Sequence, residues 1–384
     1  MVFKLAFQKL KKKLNSYFTD STLDEFDVWL FSIPNNIGIN DKLVYGSNDT
    51  KKEFSLMEHI STTSKFIAYE NTHGRLDSVK LINKLENNIK KISQIRGIPT
   101  IAYLTAINKK VSSELINISD DDIKQFVNLI NDIPNEIQEI NIVLHSRGGY
   151  MISARQIAEI IRDRFKRVTY IIPYMAHSAA SMICMTADEI IMTPESSMSP
   201  FDVQILSPVS NDYYPATKLV KIAKDARKRC SFFKLFTQKN LCDDWEHKKI
   251  ERVIFECNAS ISITKNYTLY WLMKYFFKSF KNTSYSMSNY IVIPIWKRFS
   301  KNGRAANKIV RFFTNLNIHI VHNNPIMYHE IKDIGLNISC ADEELLSILR
   351  ETYILADDLF LKSNIVKLYI NDNKHLYIVE TANS

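Results

Sequence analysis

The stretch EINIVLHSRGGYMISARQIAEIIRDRF, residues 139–165, decides the fold. It opens on a nearly continuous apolar run, the pattern of a strand covered on both faces. It turns at Gly148-Gly149 and continues with Ala154, Ile157, Ala158, Ile161 and Phe165 at helical spacing, with Arg155, Glu159 and Arg162 facing outward. The glycine pair is unusual for this chain, which holds 8 glycines in 384 residues and no other two side by side. Average usage of about 7% would give roughly 27. Such a turn either lets backbone pass close to a neighbour, or aims N–H groups at an anion or developing oxyanion from a helix start.

The same alternation extends outward on both sides. Residues 76–95 carry Val79, Leu81, Ile82, Leu85, Ile89 and Ile92 at helical spacing, and Gly97 stops that helix. IPTIAYLT, from residue 98, reads as a buried strand. A second helix starts at Ser119, with Asp122 at the capping-box position, and ends before Pro134. After residue 165 come VTYIIPY as a strand, SAASMICMTA as a short apolar helix and EIIMTP as a further strand. Strands separated by helices from residue 98 to 194 predict an α/β fold with parallel strands and crossover helices. The chain closes with VKLYINDNKHLYIVETA, two alternating runs that suggest a terminal hairpin.

Three segments follow. Residues 1–75 read as an N-terminal extension, opening on a basic amphipathic helix with Phe3, Phe7, Leu10 and Leu14 on one stripe. Residues 76–227 and 300–384 read as one α/β domain. Residues 228–299, rich in aromatics and lysine, read as a mostly helical insertion.

Composition excludes several classes. Five widely spaced cysteines without a C-x-x-C pair argue against a disulfide framework or a structural zinc site, and predict a reducing, cytoplasmic setting. No apolar stretch reaches the ~18 residues of a membrane span. The net charge of +9 is partly local, in the opening segment and in Lys218, Lys221, Lys224, Arg227, Lys228 and Arg229. These segments suit a solvated face, an acidic partner or a membrane surface. No specific nucleic-acid motif accompanies them. A dinucleotide site is excluded because G-x-G-x-x-G is missing, and a phosphate loop because its lysine and Ser/Thr are missing. His319 and His322 alone are too few for a metal site, and no cofactor is expected.

A second fragment carries candidate chemistry. In YIIPYMAHSAASMICMTADEIIMTPESSMSPFDVQ, from residue 170, Ser178 stands where a strand passes into a short helix. There it is either an N-cap or a nucleophile favoured by the helix dipole. Together, INIVLHSRGG with ARQIAEIIRD, this second fragment, RGIPTIAYLT upstream and HNNPIMYHEIKDIGLNIS downstream resemble the serine dehydrogenase proteinase family. These are serine peptidases of the Clp-protease/crotonase fold, close to the signal peptide peptidase A class. The resemblance covers residues 95–220 well and 300–345 more loosely.

The resemblance implies a repeated ββα superhelix, with Ser178 as nucleophile and the backbone N–H groups of Gly149 and Ala179 as oxyanion hole. It further implies a peptide or protein substrate and a homo-oligomer. Gly148 would permit the turn. The family's pattern is broken where Arg147 replaces proline, where Ala179-Ala180 replace two glycines, and where His177 precedes the serine. For the base, the signal-peptide-peptidase type uses a lysine well downstream of its serine. That places Lys218 first and Lys221 second, giving a serine–lysine dyad. His322, at a family-matching histidine, is the runner-up base. His177 is an unlikely partner of Ser178, and Asp202 is expected to shape the loop beside the site. The alternative reading is a weak or inactive member whose groove binds peptide as a scaffold. Crotonase-type acyl-CoA chemistry is disfavoured by the serine and the lysine window.

Overall fold

The structure, a computed structural model, describes residues 76–206, 213–237, 244–279, 286–287, 290–291, 298–315, 319, 322, 324–373 and 376–381. The expected N-terminal extension and part of the expected insertion lie outside the described residues. In chain order the first elements are α1 (Leu76–Arg96), β1 (Thr100–Thr105), α2 (Ser113–Ile116), α3 (Asp120–Asn131), β2 (Glu139–His145), α4 (Met151–Arg164) and β3 (Arg167–Ile172). There follow β4 (Met175–Ala176), α5 (Ala179–Cys184), β5 (Glu189–Met192), β6 (Ser197–Met198), the ribbon strands β7 (Gln204–Leu206) and β8 (Tyr213–Pro215), α6 (Ala216–Thr237) and α7 (Asp244–Trp271). The last elements are α8 (Lys301–Thr314), β9 (Ile326–Met327), α9 (Tyr328–Asp333), β10 (Ile338–Cys340), α10 (Glu343–Lys362), β11 (Ile365–Asn371) and β12 (Leu376–Glu380).

Seven strands make the main sheet in the order β10-β5-β3-β2-β1-β11-β12. Every pairing from β10 to β1 is parallel, as the strand–helix alternation requires, while β11 joins β1 and β12 antiparallel. The closing hairpin is thus built into the sheet. Its first strand is interior and buried at all seven positions.

Alternate residues of each strand feed two cores, one on each face of the sheet. Ile101, Tyr103, Ile142 and Leu144 pack with α3, α4, α5 and α8 on one side, while Ala102, Leu104 and Val143 pack with α1 and α10 on the other. α3 begins with the expected capping box between Ser119 and Asp122.

The end of the long helix α7 is embedded in the domain. Trp271, Leu272 and Met273 are fully buried in the first core. α7 also lies on α4, with Arg155 stacked over Tyr267 at 3.7 Å and the Thr264 hydroxyl donating to Met151 Sδ at 2.6 Å. A small separate cluster of Ala216, Leu219 and Cys257 seats the other end against Val203 and Ile205, the strand leaving the site. Among the described residues no helix is long and apolar enough to cross a membrane.

Candidate active site

The site forms at the carboxyl ends of β2 and β3, where an open parallel sheet exposes its loops. β3 leads through β4 to Ser178, the residue before α5. Ser178 holds φ 51 and ψ −120, a positive φ that costs a non-glycine residue about 1–3 kcal/mol. Three serines hold the segment in this shape. Ser178 N–H donates to Ser199 Oγ at 2.8 Å, and Ser199 N–H donates to Ser181 Oγ at 3.0 Å. Ser197 Oγ lies 2.9 Å from His177 Nε2. The tie to Ser199 uses up the N–H of Ser178, and the residue is half-buried.

That hydroxyl has a histidine partner. His322 Nε2 lies 3.1 Å from Ser178 Oγ, and His322 Nδ1 lies 2.7 Å from Asp202 Oδ1. The carboxylate fixes the tautomer: Nδ1 carries the hydrogen it donates to Asp202, leaving Nε2 as an acceptor toward the serine. Gln204 Nε2 donates to the other oxygen, Asp202 Oδ2, at 2.5 Å. Asp202 and Gln204 are two apart on an extended segment, which puts them on one side of it. The arrangement is a serine, a base and an orienting acid in chain order serine, aspartate, histidine.

No hydrogen bond joins Ser178 to Lys218 or Lys221, the lysines expected as its base. Lys218 and Lys221 are exposed on the first turns of α6, and Lys218 Nζ sits over the Tyr214 ring, 5.6 Å from its centroid. Asp202, read as a loop-shaping residue, instead binds the histidine. His177 does not approach the Ser178 hydroxyl. It is buried, and burial first, then the charges of His322 and Arg147, push its pKa down to about 4.

Gly148 and Gly149 answer two separate steric demands. Gly148 holds φ 95, and a Cβ there would stand 2.5 Å from His177 O, 2.8 Å from Ala179 N and 2.9 Å from Ser178 Cβ. Gly149 passes Ile118 so closely that a Cβ would overlap its backbone. Ile118 clasps the pair in a parallel bridge: its N–H donates to Gly148 O and its C=O accepts from Tyr150 N–H, both at 2.8 Å. This pairing uses the groups on either side of Gly149 and turns the Gly149 N–H away from Ile118. Among the described residues neither Gly149 N–H nor Ala179 N–H has a hydrogen-bond acceptor. The methyls of Ala179 and Ala180 pack into the first core.

Behind Ile118 lies a buried ion pair. Lys367 of β11 donates from Nζ to Asp122 Oδ1 and Oδ2 at 2.8 and 2.9 Å and to Asn117 O at 2.7 Å. Asp122 also accepts from Ser119 N–H at 2.6 Å and from the Tyr369 hydroxyl. Residues 117 and 119, flanking Ile118, are therefore both held by this cluster. Sequence reasoning did not find Ser199, Gln204, Ile118 or Lys367. Only Gln204 had a local signal, its spacing of two from Asp202.

A mainly parallel α/β sheet thus carries a serine, a histidine and an aspartate in hydrogen-bonded series at its carboxyl edge, an arrangement suited to nucleophilic catalysis. Residues 65–239 match the family described as ClpP-like SDH-type serine proteinase. The matched segment contains Ser178, Asp202 and both glycines, and stops short of His322. Two uncharacterized proteins of Methanocaldococcus jannaschii are similar. MJ1495 is 29% identical over 139 residues, 35% of this chain and 44% of the relative. MJ0137 is 26% identical over 153 residues, 38% of this chain and 48% of the relative. The chain thus spans under half the length of these curated relatives. A solved structure of a mutant of 1510-N, a membrane-bound stomatin-specific protease, aligns over 36% of this chain and 66% of that one, at 18% identity and a TM-score of 0.24.

Proposed function

We propose that the protein is a serine peptidase that cleaves peptide bonds through an acyl-enzyme on Ser178, with His322 as general base and Asp202 as its orienting acid. The observation that carries this reading is the 3.1 Å contact of Ser178 Oγ with His322 Nε2, backed by the 2.7 Å contact of His322 Nδ1 with Asp202. The proposal replaces a lysine base with His322, because a base must reach its proton within hydrogen-bond distance. In this mechanism Nε2 takes the hydroxyl proton as Oγ attacks the scissile carbonyl. The resulting oxyanion is held by the unpaired N–H groups of Gly149 and Ala179, which need no reorganisation to receive it. Nε2 then protonates the leaving amine, and a water activated at the same nitrogen releases the acid. The strained φ of Ser178 keeps the nucleophile presented rather than folded against α5. The Clp-protease/crotonase superhelix, with a helical insertion at 228–299, is the fold we assign to this chemistry.

The test is labelling with a fluorophosphonate probe, followed by mass spectrometry of the modified residue. Modification at Ser178 is expected, absent in Ser178→Ala, strongly slowed in His322→Ala and retained in Lys218→Ala and Lys221→Ala. Slowing by Lys218→Ala with none by His322→Ala would return the base to the lysine. Absence of labelling across the neutral and alkaline range would leave the scaffold reading.

A further inference from the structure

We infer that Arg147 is a specificity-determining residue of this site, and that it selects peptides presenting a carboxylate next to the scissile bond. The inference rests on the proposed function, because it names the substrate class of the same site.

The argument starts from position. Arg147 immediately precedes Gly148, whose backbone is pressed against the nucleophile segment: a Cβ there would come within 2.9 Å of Ser178 Cβ. Consecutive Cα atoms are about 3.8 Å apart, so the arginine side chain departs from the edge of the site itself. Any carbonyl carbon seated on Ser178, with its oxygen at Gly149 N–H, has its flanking residues within reach of a long, flexible guanidinium arm.

The second observation is that this arm is unoccupied. Arg147 is exposed and makes no hydrogen bond or ion pair with any described residue. Three arginines of α4 are engaged. Arg162 binds Asp188 at 2.6 Å, Arg155 binds Glu159 at 3.1 Å, and Arg164 caps the backbone oxygens of Ile133, Pro134 and Ile137. An arginine left unpaired at a site mouth presents a planar fork of donors that matches a carboxylate bidentately.

The third observation is the charge around it. The site's own acid, Asp202, is committed to His322 and Gln204. Exposed Lys218 and Lys221 add positive charge on the helix that follows the β7–β8 ribbon. Glu114 of α2 is an acidic group whose charge acts on Tyr213 of β8. The charge of Arg147 also reaches His177, next to the nucleophile. A neutral or basic residue beside the scissile bond would leave the guanidinium unpaired, whereas an acidic one gains a charge-assisted contact.

The carboxylate has two sources, an internal Asp or Glu side chain or the substrate's own C-terminus, and the experiment separates them. Quenched fluorescent peptides would carry Glu or Gln at each position flanking the scissile bond, all with amidated ends. A second series would carry Gln with a free or an amidated C-terminus one residue beyond the scissile bond. kcat/KM would be read alongside protection of Ser178 from the fluorophosphonate. A preference of about tenfold for the carboxylate-bearing peptide is expected in one series, the size of one charge-assisted hydrogen bond. It should vanish in Arg147→Ala, survive in part in Arg147→Lys, and invert toward a Lys-bearing peptide in Arg147→Glu. A merely structural role would lower all peptides together and leave the ratio unchanged. Equal rates for Glu and Gln and for free and amidated ends would overturn the inference, as would a preference that persists in Arg147→Ala. Failure of the wild-type serine to label strikes the proposed function instead, because the probe carries no carboxylate.

Discussion

Two buried aspartates in this molecule are each bound to a basic side chain, and they do opposite work. Asp122 is fully enclosed, and its partner Lys367 is 3% exposed. The three donors of that ammonium are spent on Asp122 Oδ1, Asp122 Oδ2 and Asn117 O. Nothing about this pair faces outward, so it acts as a clamp on the strand that grips Gly148-Gly149. Asp202 is also buried, yet its partner has a second ring nitrogen and a side chain 23% exposed. In the proposed mechanism that second nitrogen turns a clamp into a relay, because it contacts the Ser178 hydroxyl. The comparison teaches that burial of the acid alone does not mark chemistry. What separates the two is whether the basic partner has an unspent face toward a reactive group.

The comparison can be broken from either side. His322→Ala removes the relay while leaving Asp202 with Gln204. A fall in kcat/KM of about ten-thousandfold is expected, equivalent to about 5 kcal/mol of transition-state stabilisation. Unfolding in denaturant should change little beside that loss, and a variant as active as the wild type would remove His322 from the mechanism. Lys367→Met breaks the clamp and leaves an uncompensated carboxylate in the interior. It should cost about 3–5 kcal/mol of stability in urea unfolding. The surviving folded fraction should lose kcat more than KM, because Ile118 no longer holds the oxyanion loop. Unchanged stability would show that Asp122 finds another partner. Gln204→Leu is the milder probe of the relay. Losing one donor to an ionised carboxylate should lower kcat about tenfold with KM nearly unmoved. An equal rise in KM would assign Gln204 to substrate binding.

The fold was legible in the sequence because its signals are local. The buried run before Gly148, the amphipathic run after it and the Ser119–Asp122 capping box each lie within a few residues of their partners. The clustering of Ser178, Gly148 and Gly149 followed from the resemblance. The reading put Lys218 ahead of His322 because His322 lies 144 residues beyond the serine, in a turn without periodicity, yet it is His322 whose ring contacts Ser178 Oγ. Local spacing gives no account of which distant turn folds back onto a site, and a lysine window nearby filled the gap. Lys367 failed for a related reason. In VKLYIN an alternating pattern sends a lysine to solvent, but the strand is interior between β1 and β12, and Asp122 meets it there.

A third basic side chain tests the same distinction at the smallest scale. His145 ends β2 just before the site and is buried edge-on to Tyr353, with Nδ1 lacking a hydrogen-bond partner. Burial first, then the nearby His177, lowers its pKa to about 3, against about 6.5 in an unfolded chain. The unfolded state therefore binds a proton that the native state refuses, so stability is full above about pH 6.5 and is lost as pH falls toward 3. At pH 5 this one group removes about 2 kcal/mol of the stability present at pH 7.5. His145→Phe, which keeps the ring and discards the titration, should recover about that much of the acid loss in urea unfolding at the two pH values. If the variant loses as much stability as the wild type between them, His145 is open to water. It would then resemble the exposed face of His322 rather than the sealed partner of Asp122, and exposure of the ring nitrogen would cease to distinguish relay from clamp.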